Sequence, residues 1–229
     1  MKTRIGFLIF PDVQQLDLTG PYEILASLAD TQLYLVARDL QPVKSVTGLQ
    51  LQPTTTLLDC PQLDVLCVPG GKGVNALLND EQTLAFLRSQ AVNARYLTSV
   101  CTGALVLGAA GLLRGKRATT HWGAHEFLPD FGAIPVRERV VRDGSLVTGG
   151  GVTAGIDFAL TLAAEIRGRE AAEAVQLSLE YAPAPPFEAG TPETAPPAIV
   201  ARVRARVEPL RAERQRLVEA WLATQPRAR

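Results

Sequence analysis

Three times along the chain, an apolar run of strand length gives way to turn residues and then to helix-forming sequence. Ile5 to Phe10 leads through Thr19-Gly20-Pro21 to YEILASLA. Leu63 to Val68 meets Pro69-Gly70-Gly71 before VNALL, and Tyr96 to Val100 meets Cys101-Thr102-Gly103 before ALVLGAAGLL. Uninterrupted apolar strands belong to parallel sheets covered by helices on both faces, whereas half-exposed strands alternate apolar with polar residues. The repeated strand–turn–helix unit therefore predicts an α/β fold with a mostly parallel sheet between two helical layers.

Further elements fill the intervals. Thr31 to Arg38 and Val46 to Leu57 read as short strands, the second folded about Thr47-Gly48. Val136 to Arg142 and Ser145 to Thr148 flank Asp143-Gly144, which tolerates positive φ at both positions and predicts a two-residue hairpin at the sheet edge. Gly149-Gly150-Gly151 leads into the apolar helix TAGIDFALTLAAEI, with Thr153 as N-cap, and REAAEAVQLSLEY forms a second helix. Ala182 to Pro197 is too rich in proline for helix or central strand and reads as a linker or surface strap. Ala198 to Ala223 reads as a terminal helix with a charged face and Pro209 as a point of interruption. On it, Leu217 and Trp221 are spaced to make one apolar contact, with the body of the protein or a second subunit. The boundaries that follow are residues 1–181 for the α/β domain and 182–229 for the strap and C-terminal helix.

The 229 residues, 47% of them hydrophobic, suffice for one sizeable core plus an extension. With 23 basic and 23 acidic residues the formal charge cancels, so no global field favours nucleic acid or an anionic membrane. Cys60, Cys67 and Cys101 make no secreted disulfide framework and suit the reducing cytoplasm. The opening MKTRIGFLIFPD reads as a first strand, because Pro11 breaks its apolar run and no small-residue cleavage site follows. No apolar stretch reaches the roughly 20 residues of a bilayer-crossing helix, so a soluble protein is expected.

Cys101 ends a buried strand and opens a helix, with Gly103 leaving room for close backbone approach. Such an elbow exposes a side chain at the sheet's C-terminal edge, where open α/β folds bind ligands. The helix N-terminus is expected to favour thiolate over thiol there, making Cys101 a candidate nucleophile activated without a dedicated base. The bland alternative is a small buried apolar cysteine. Cys67, inside LDVLCVPGG, reads as core and Cys60 as an inert loop thiol. His121 and His125 are only half of a metal set, so no metal site is expected. Pro69-Gly70-Gly71 serves equally as a tight turn or as a loop whose glycine N–H faces developing negative charge. Asp17 lies between the first strand and its helix, as a solvated acid, a capping signal or a proton donor near Cys101.

Together, FPDVQQLDLTGP, SVCTGALVLGAAGLL, RATTHW, VVRDGSLVTGGGVTAGIDFALTLAAE and QLSLEYAPAPPF resemble the PfpI/ThiJ superfamily, related to class I glutamine amidotransferases, over about Ile5 to Pro197. Asp17, the Cys101-Thr102 pair and LEYAPAPPF are most similar to its isocyanide hydratases. The resemblance implies a flavodoxin-like three-layer sandwich, a homodimer and a reactive elbow cysteine, with no metal or organic cofactor. It implies Cys101 as nucleophile, Asp17 as acid, Thr102 bordering the site, and Gly71 in the loop that lines it. The expected reaction is attack of the Cys101 thiolate on the terminal isocyanide carbon while a partly buried Asp17 supplies the proton. Water would then convert the thioimidate to an N-substituted formamide.

Many superfamily members carry His after the cysteine, where this chain has Thr102, which argues against peptidase chemistry. Two rivals share the same segments. One is the amidase-like domain of AraC-type regulators, which needs helix-turn-helix units that the residues past the strap are too few to form. The other is a glyoxalase-like or redox-sensing protein, against which Asp17 argues because Glu commonly accompanies the superfamily cysteine. His121 is expected to hydrogen-bond structurally and Trp122 to pack.

Overall fold

A computed structural model describes residues 2–225; residue 1 and residues 226–229, the end of the segment read as strap and helix, lie outside the described residues. In chain order the elements are β1 (Thr3–Leu8), α1 (Gln15–Ala26), β2 (Thr31–Ala37), β3 (Val43–Lys44), β4 (Gln50–Leu51) and β5 (Thr55–Thr56). Next come β6 (Val65–Val68), α2 (Val74–Leu77), α3 (Glu81–Ala91), β7 (Tyr96–Val100), α4 (Gly103–Ala109) and β8 (Arg117–Ala118). Two 3₁₀ turns, Trp122–Phe127 and Pro129–Phe131, precede β9 (Ile134–Pro135), β10 (Val140–Asp143), β11 (Leu146–Gly149), α5 (Ala154–Arg167), α6 (Arg169–Ser178) and α7 (Pro197–Thr224).

The main sheet has seven strands in the order β10-β11-β7-β6-β1-β2-β5. All its pairings are parallel except β10 with β11, the antiparallel edge hairpin. The α/β sandwich with a mostly parallel sheet and a C-terminal helix is thus the observed architecture. From β1 the chain moves to β2 on one side and later to β6 on the other, so the strand order reverses between β1 and β6. In open α/β sheets that reversal opens a crevice at the strands' C-terminal ends, and the loops after β1, β6 and β7 meet there. Ile5, Phe7, Leu66 and Phe158 are fully buried between the layers.

Several boundaries differ from expectation, each for a local reason. Helix α1 starts at Gln15, ahead of Pro21, so Asp17 sits in its first turn rather than in a loop. Pro21 is tolerated inside the helix because it packs on α5: a Cβ at Gly155 would stand 3.1 Å from its ring. Lacking an N–H, Pro21 cannot donate to the Asp17 carbonyl. Val46 to Leu57 is not one strand; β3 and β4 form a separate hairpin and β5 joins the sheet edge. The β10–β11 turn is Gly144-Ser145, one residue later than expected, since Asp143 pairs with Leu146 and Gly144 takes φ 63°. Thr153 makes no capping bond; its hydroxyl accepts from Arg139 at 3.3 Å. Helix α4 stops at Ala109, ahead of Gly111 at φ 81°, and α6 stops at Ser178, short of Tyr181. Helix α3 was not anticipated, although Thr83, Leu84, Leu87 and Gln90 form one buried face.

Helix α7 runs through Pro209 without interruption and lies on the body of its own chain. Trp221 is 7% exposed, its ring centroid is 4.8 Å from that of Phe131, and its Nε1 donates to the Ala109 carbonyl at 3.2 Å. Leu217 packs beside it. Trp221→Ala removes this anchor and is expected to destabilise the protein by about 3–5 kcal/mol, as a lowered midpoint in urea unfolding.

Candidate active site

Cys101 follows β7 in a left-handed backbone conformation, φ 55°, unusual for a residue with a side chain. The surrounding backbone imposes it. The Cys101 N–H donates to the carbonyls of Gly149 (3.1 Å) and Gly150 (2.9 Å), and its carbonyl accepts from the Thr120 hydroxyl at 2.7 Å. Gly103 is required two residues later, since a Cβ there would stand 1.9 Å from the Val68 carbonyl oxygen. The elbow read from the sequence is therefore present, and Gly103 has the expected role of admitting close backbone approach.

Asp17 comes to the same place from α1 and is fully buried. Its Oδ2 accepts from the Gly70 N–H at 2.9 Å, while Oδ1 has no hydrogen-bond partner among the described residues. Burial pushes its carboxyl up to about 7, against the opposing pull of the Gly70 N–H and Cys101. Thr102 borders the pair, and its hydroxyl accepts from the Gly71 N–H at 3.1 Å. Gly71 holds φ 137°, and a Cβ on it would stand 2.4 Å from the Asp12 carbonyl oxygen. Both glycine N–H groups of the β6 loop are thus engaged by Asp17 and Thr102. Neither is free to face a developing anion.

The thiol is not lowered by its helix. Burial first, and then the Asp17 charge, raise Cys101 well above its ordinary value, outweighing the Thr102 and Val152 N–H groups that favour thiolate. A helix of seven residues offers a weak dipole against full desolvation. Activation without a base is therefore corrected. Cys101 and Asp17 form a coupled pair: Asp17 gives up its proton first, at about 7, and the raised thiol keeps the remaining one beside the Asp17 carboxylate, which can then serve as its base.

Burial likewise raises Cys67 to about 12 and Cys60 to about 11, so neither supplies a competing thiolate at neutral pH. His121 has the structural hydrogen bond expected: Nδ1 accepts from the Gly123 N–H at 3.1 Å, placing the proton of the neutral ring on Nε2. Burial and the nearby Arg214 charge lower it to about 4. Trp122 is half-buried, with its ring under the Arg204 guanidinium at 5.8 Å, so it packs at the surface. His125 turns to the Thr119 hydroxyl, with Nε2 at 3.2 Å. A 390 Å³ cleft lined by Thr120, His121, Gly151, Val152, Arg137 and Glu193 opens next to the elbow, on residues that themselves bond Cys101. No helix among the described residues is long and apolar enough to cross a membrane.

The DJ-1/PfpI family signature matches residues 3–165. The chain belongs to the DJ-1/PfpI family. Among curated relatives, the isonitrile hydratase of Pseudomonas putida is 69% identical over 209 residues, covering 91% of this chain and 92% of that protein. A THiJ/PfpI family protein from Pseudomonas syringae has a similar crystal structure, with a TM-score of 0.93 and 44% identity, covering 95% of this chain and 91% of that one. The HTH-type transcriptional regulator GbdR of Pseudomonas aeruginosa is 30% identical over 77% of this chain, which spans only 50% of the regulator. The DJ-1/PfpI match stops at Glu165, leaving α6, the strap and α7 beyond it.

Sequence reasoning brought Cys101, Asp17, Thr102 and Gly71 forward, and all four lie at the C-terminal ends of β1, β6 and β7. It named Gly70 only as part of the Pro69-Gly70-Gly71 loop, and it missed Thr120 and Val152, which act through a buried hydroxyl and a backbone group and leave no chemical signal in the sequence.

Proposed function

We propose that this chain hydrates isocyanides, also called isonitriles, to N-substituted formamides. The observation that carries the reading is the buried Cys101–Asp17 pair at a strained elbow, in a chain 69% identical over 91% of its length to an isonitrile hydratase. Asp17 takes the thiol proton, and the thiolate attacks the terminal carbon of R–N≡C. Asp17 then returns the proton to that carbon, giving the thioimidate R–N=CH–S–Cys101. Water adds to the same carbon, and collapse of the tetrahedral adduct expels the thiol and releases R–NH–CHO. The sum is isocyanide plus water, with no change in redox state and no cofactor. Thr102 and Gly71 shape the wall around the reacting carbon, and the adjoining cleft receives the R group. We further read the protein as a cytoplasmic homodimer with residues 1–181 as its α/β domain, on family resemblance and on three unpaired cysteines.

Helix α7 is itself a single uninterrupted helix, not the two helices joined by a turn that read DNA. The test is to incubate the purified protein with cyclohexyl isocyanide, methylglyoxal and peroxide in parallel and follow products by chromatography. N-cyclohexylformamide should form catalytically. Turnover of methylglyoxal, or stoichiometric oxidation of Cys101, with no formamide would overturn the proposal.

A further inference from the structure

The strap between α6 and α7 meets the body at its tip. From Ala182 to Pro196 every residue is exposed except Pro192 and Ala195. Among the described residues, the hydrogen bonds made from Pro183 to Ala195 stay inside the strap. The Thr194 and Ala195 N–H groups donate to the Thr191 carbonyl at 3.2 and 2.9 Å, and the Thr191 and Thr194 hydroxyls meet at 3.1 Å. They close a turn with Pro192 second in it, the position that a proline ring, with its fixed φ, is suited to.

This turn is seated between two cavities. The first is the 390 Å³ cleft beside the elbow. Its wall on the elbow side carries Thr120, whose hydroxyl donates to the Cys101 carbonyl at 2.7 Å, and Gly150, whose carbonyl accepts from the Cys101 N–H at 2.9 Å. The second, of 410 Å³, lies between the first 3₁₀ turn and α7, against Gly123, Arg204, Val207 and Arg211. Trp122, His125, Arg137, Pro192 and Glu193 line both, and so form the partition. Trp122 and His125 are held from the body, by the Arg204 guanidinium and the Thr119 hydroxyl. Arg137 and Glu193 are exposed, and their flexible charged ends can swing toward water. Pro192 is half-buried, its ring rigid and fixed by the turn.

We propose that Pro192 is a specificity-determining residue: it closes the R-group cleft toward the second cavity and so limits the length of the isocyanide accepted. The inference rests on the cleft holding the R group of the proposed reaction. A chain extending from the carbon bound at Cys101 past the cleft meets this partition. Arg137 and Glu193 can yield to it, and the Pro192 ring cannot. The strap lies beyond Glu165, where the DJ-1/PfpI match stops, so this wall is added to the shared fold from outside the matched residues.

The test compares wild type, Pro192→Gly and Pro185→Gly on n-butyl and n-decyl isocyanide. Pro185 is exposed in the same strap and lines neither cavity, so its variant controls for a loosened backbone. Pro192→Gly should raise kcat/KM for n-decyl isocyanide about tenfold, through KM, and leave the n-butyl value within about twofold of wild type. Pro185→Gly should match wild type on both. An unchanged decyl-to-butyl ratio in Pro192→Gly would overturn the proposal, as would an equal rise in the two variants, which marks a looser strap. Should the wild type make no formamide, the functional reading fails and alkylation of Cys101 decides the wall, read by mass spectrometry with N-ethylmaleimide and N-decylmaleimide. A gain of about tenfold for the decyl reagent over the ethyl one in Pro192→Gly alone supports it. An unchanged ratio overturns it.

Discussion

Cys101→Ala is expected to lower isocyanide hydration by at least about 10⁴-fold while leaving the protein folded. The size of the loss follows from the chemistry: with no thiol, water must attack an unactivated isocyanide, and no other thiol among the described residues lies at the elbow. Burial holds Cys67 and Cys60 at about 12 and 11, so neither can substitute at neutral pH. Folding should survive, because the elbow is imposed by backbone bonds to Gly149, Gly150 and Thr120, which alanine preserves. The same φ of 55° strains alanine and cysteine alike. Intact-mass spectrometry provides a second reading. Wild-type protein quenched in acid during turnover should carry an adduct of one isocyanide, and the variant none. Formamide production by Cys101→Ala within tenfold of wild type would remove the covalent mechanism.

How far this site could be read in advance depends on which forces leave a trace in sequence. Strands β6 and β7 did so through unbroken apolar runs, because both of their faces are covered. Strands β3, β4 and β5, two residues each, leave too little pattern to separate from a loop. Pro21 misplaced the start of α1, since sequence does not reveal that Gly155 makes room for its ring. Cys101 and Asp17 were legible because chain position alone, after β7 and after β1, sends them to one sheet edge. The direction of the thiol's shift was not. It depends on how completely the pair is buried, a property of residues from α1, α4 and α5 assembled together. The burial of Arg214 on α7 was hidden more deeply still. On an Arg-rich amphipathic helix one arginine resembles the next, and only packing separates the residue turned inward from its solvated neighbours.

Asp17→Asn is expected to lose hydration by about 10²–10⁴-fold, the usual range for removal of a general acid or base, with a thiol that can still be alkylated. The amide can accept the Gly70 N–H but cannot take a proton from Cys101 or give one to the isocyanide carbon. The pH profile should change with it. In the wild type the pair holds two protons below about pH 7 and one above it, and the one-proton form is reactive, so kcat/KM should rise through about 7 and then level. The variant should lack that rise. Stability should move the other way. Asp17 has a folded value of about 7 against an ordinary 3.8, so its favourable neutral form is fully present below about 4 and lost as pH rises through 7. The variant has no such loss, and its melting temperature should gain on the wild type between pH 4 and pH 8, by the equivalent of up to roughly 4 kcal/mol. A residue whose ionised form weakens the fold, and whose removal silences the enzyme, would be held there for its chemistry. If the variant instead kept full activity with the rise through pH 7 intact, the proton would have to come from elsewhere, and Asp17 would be a structural ligand of the Gly70 N–H.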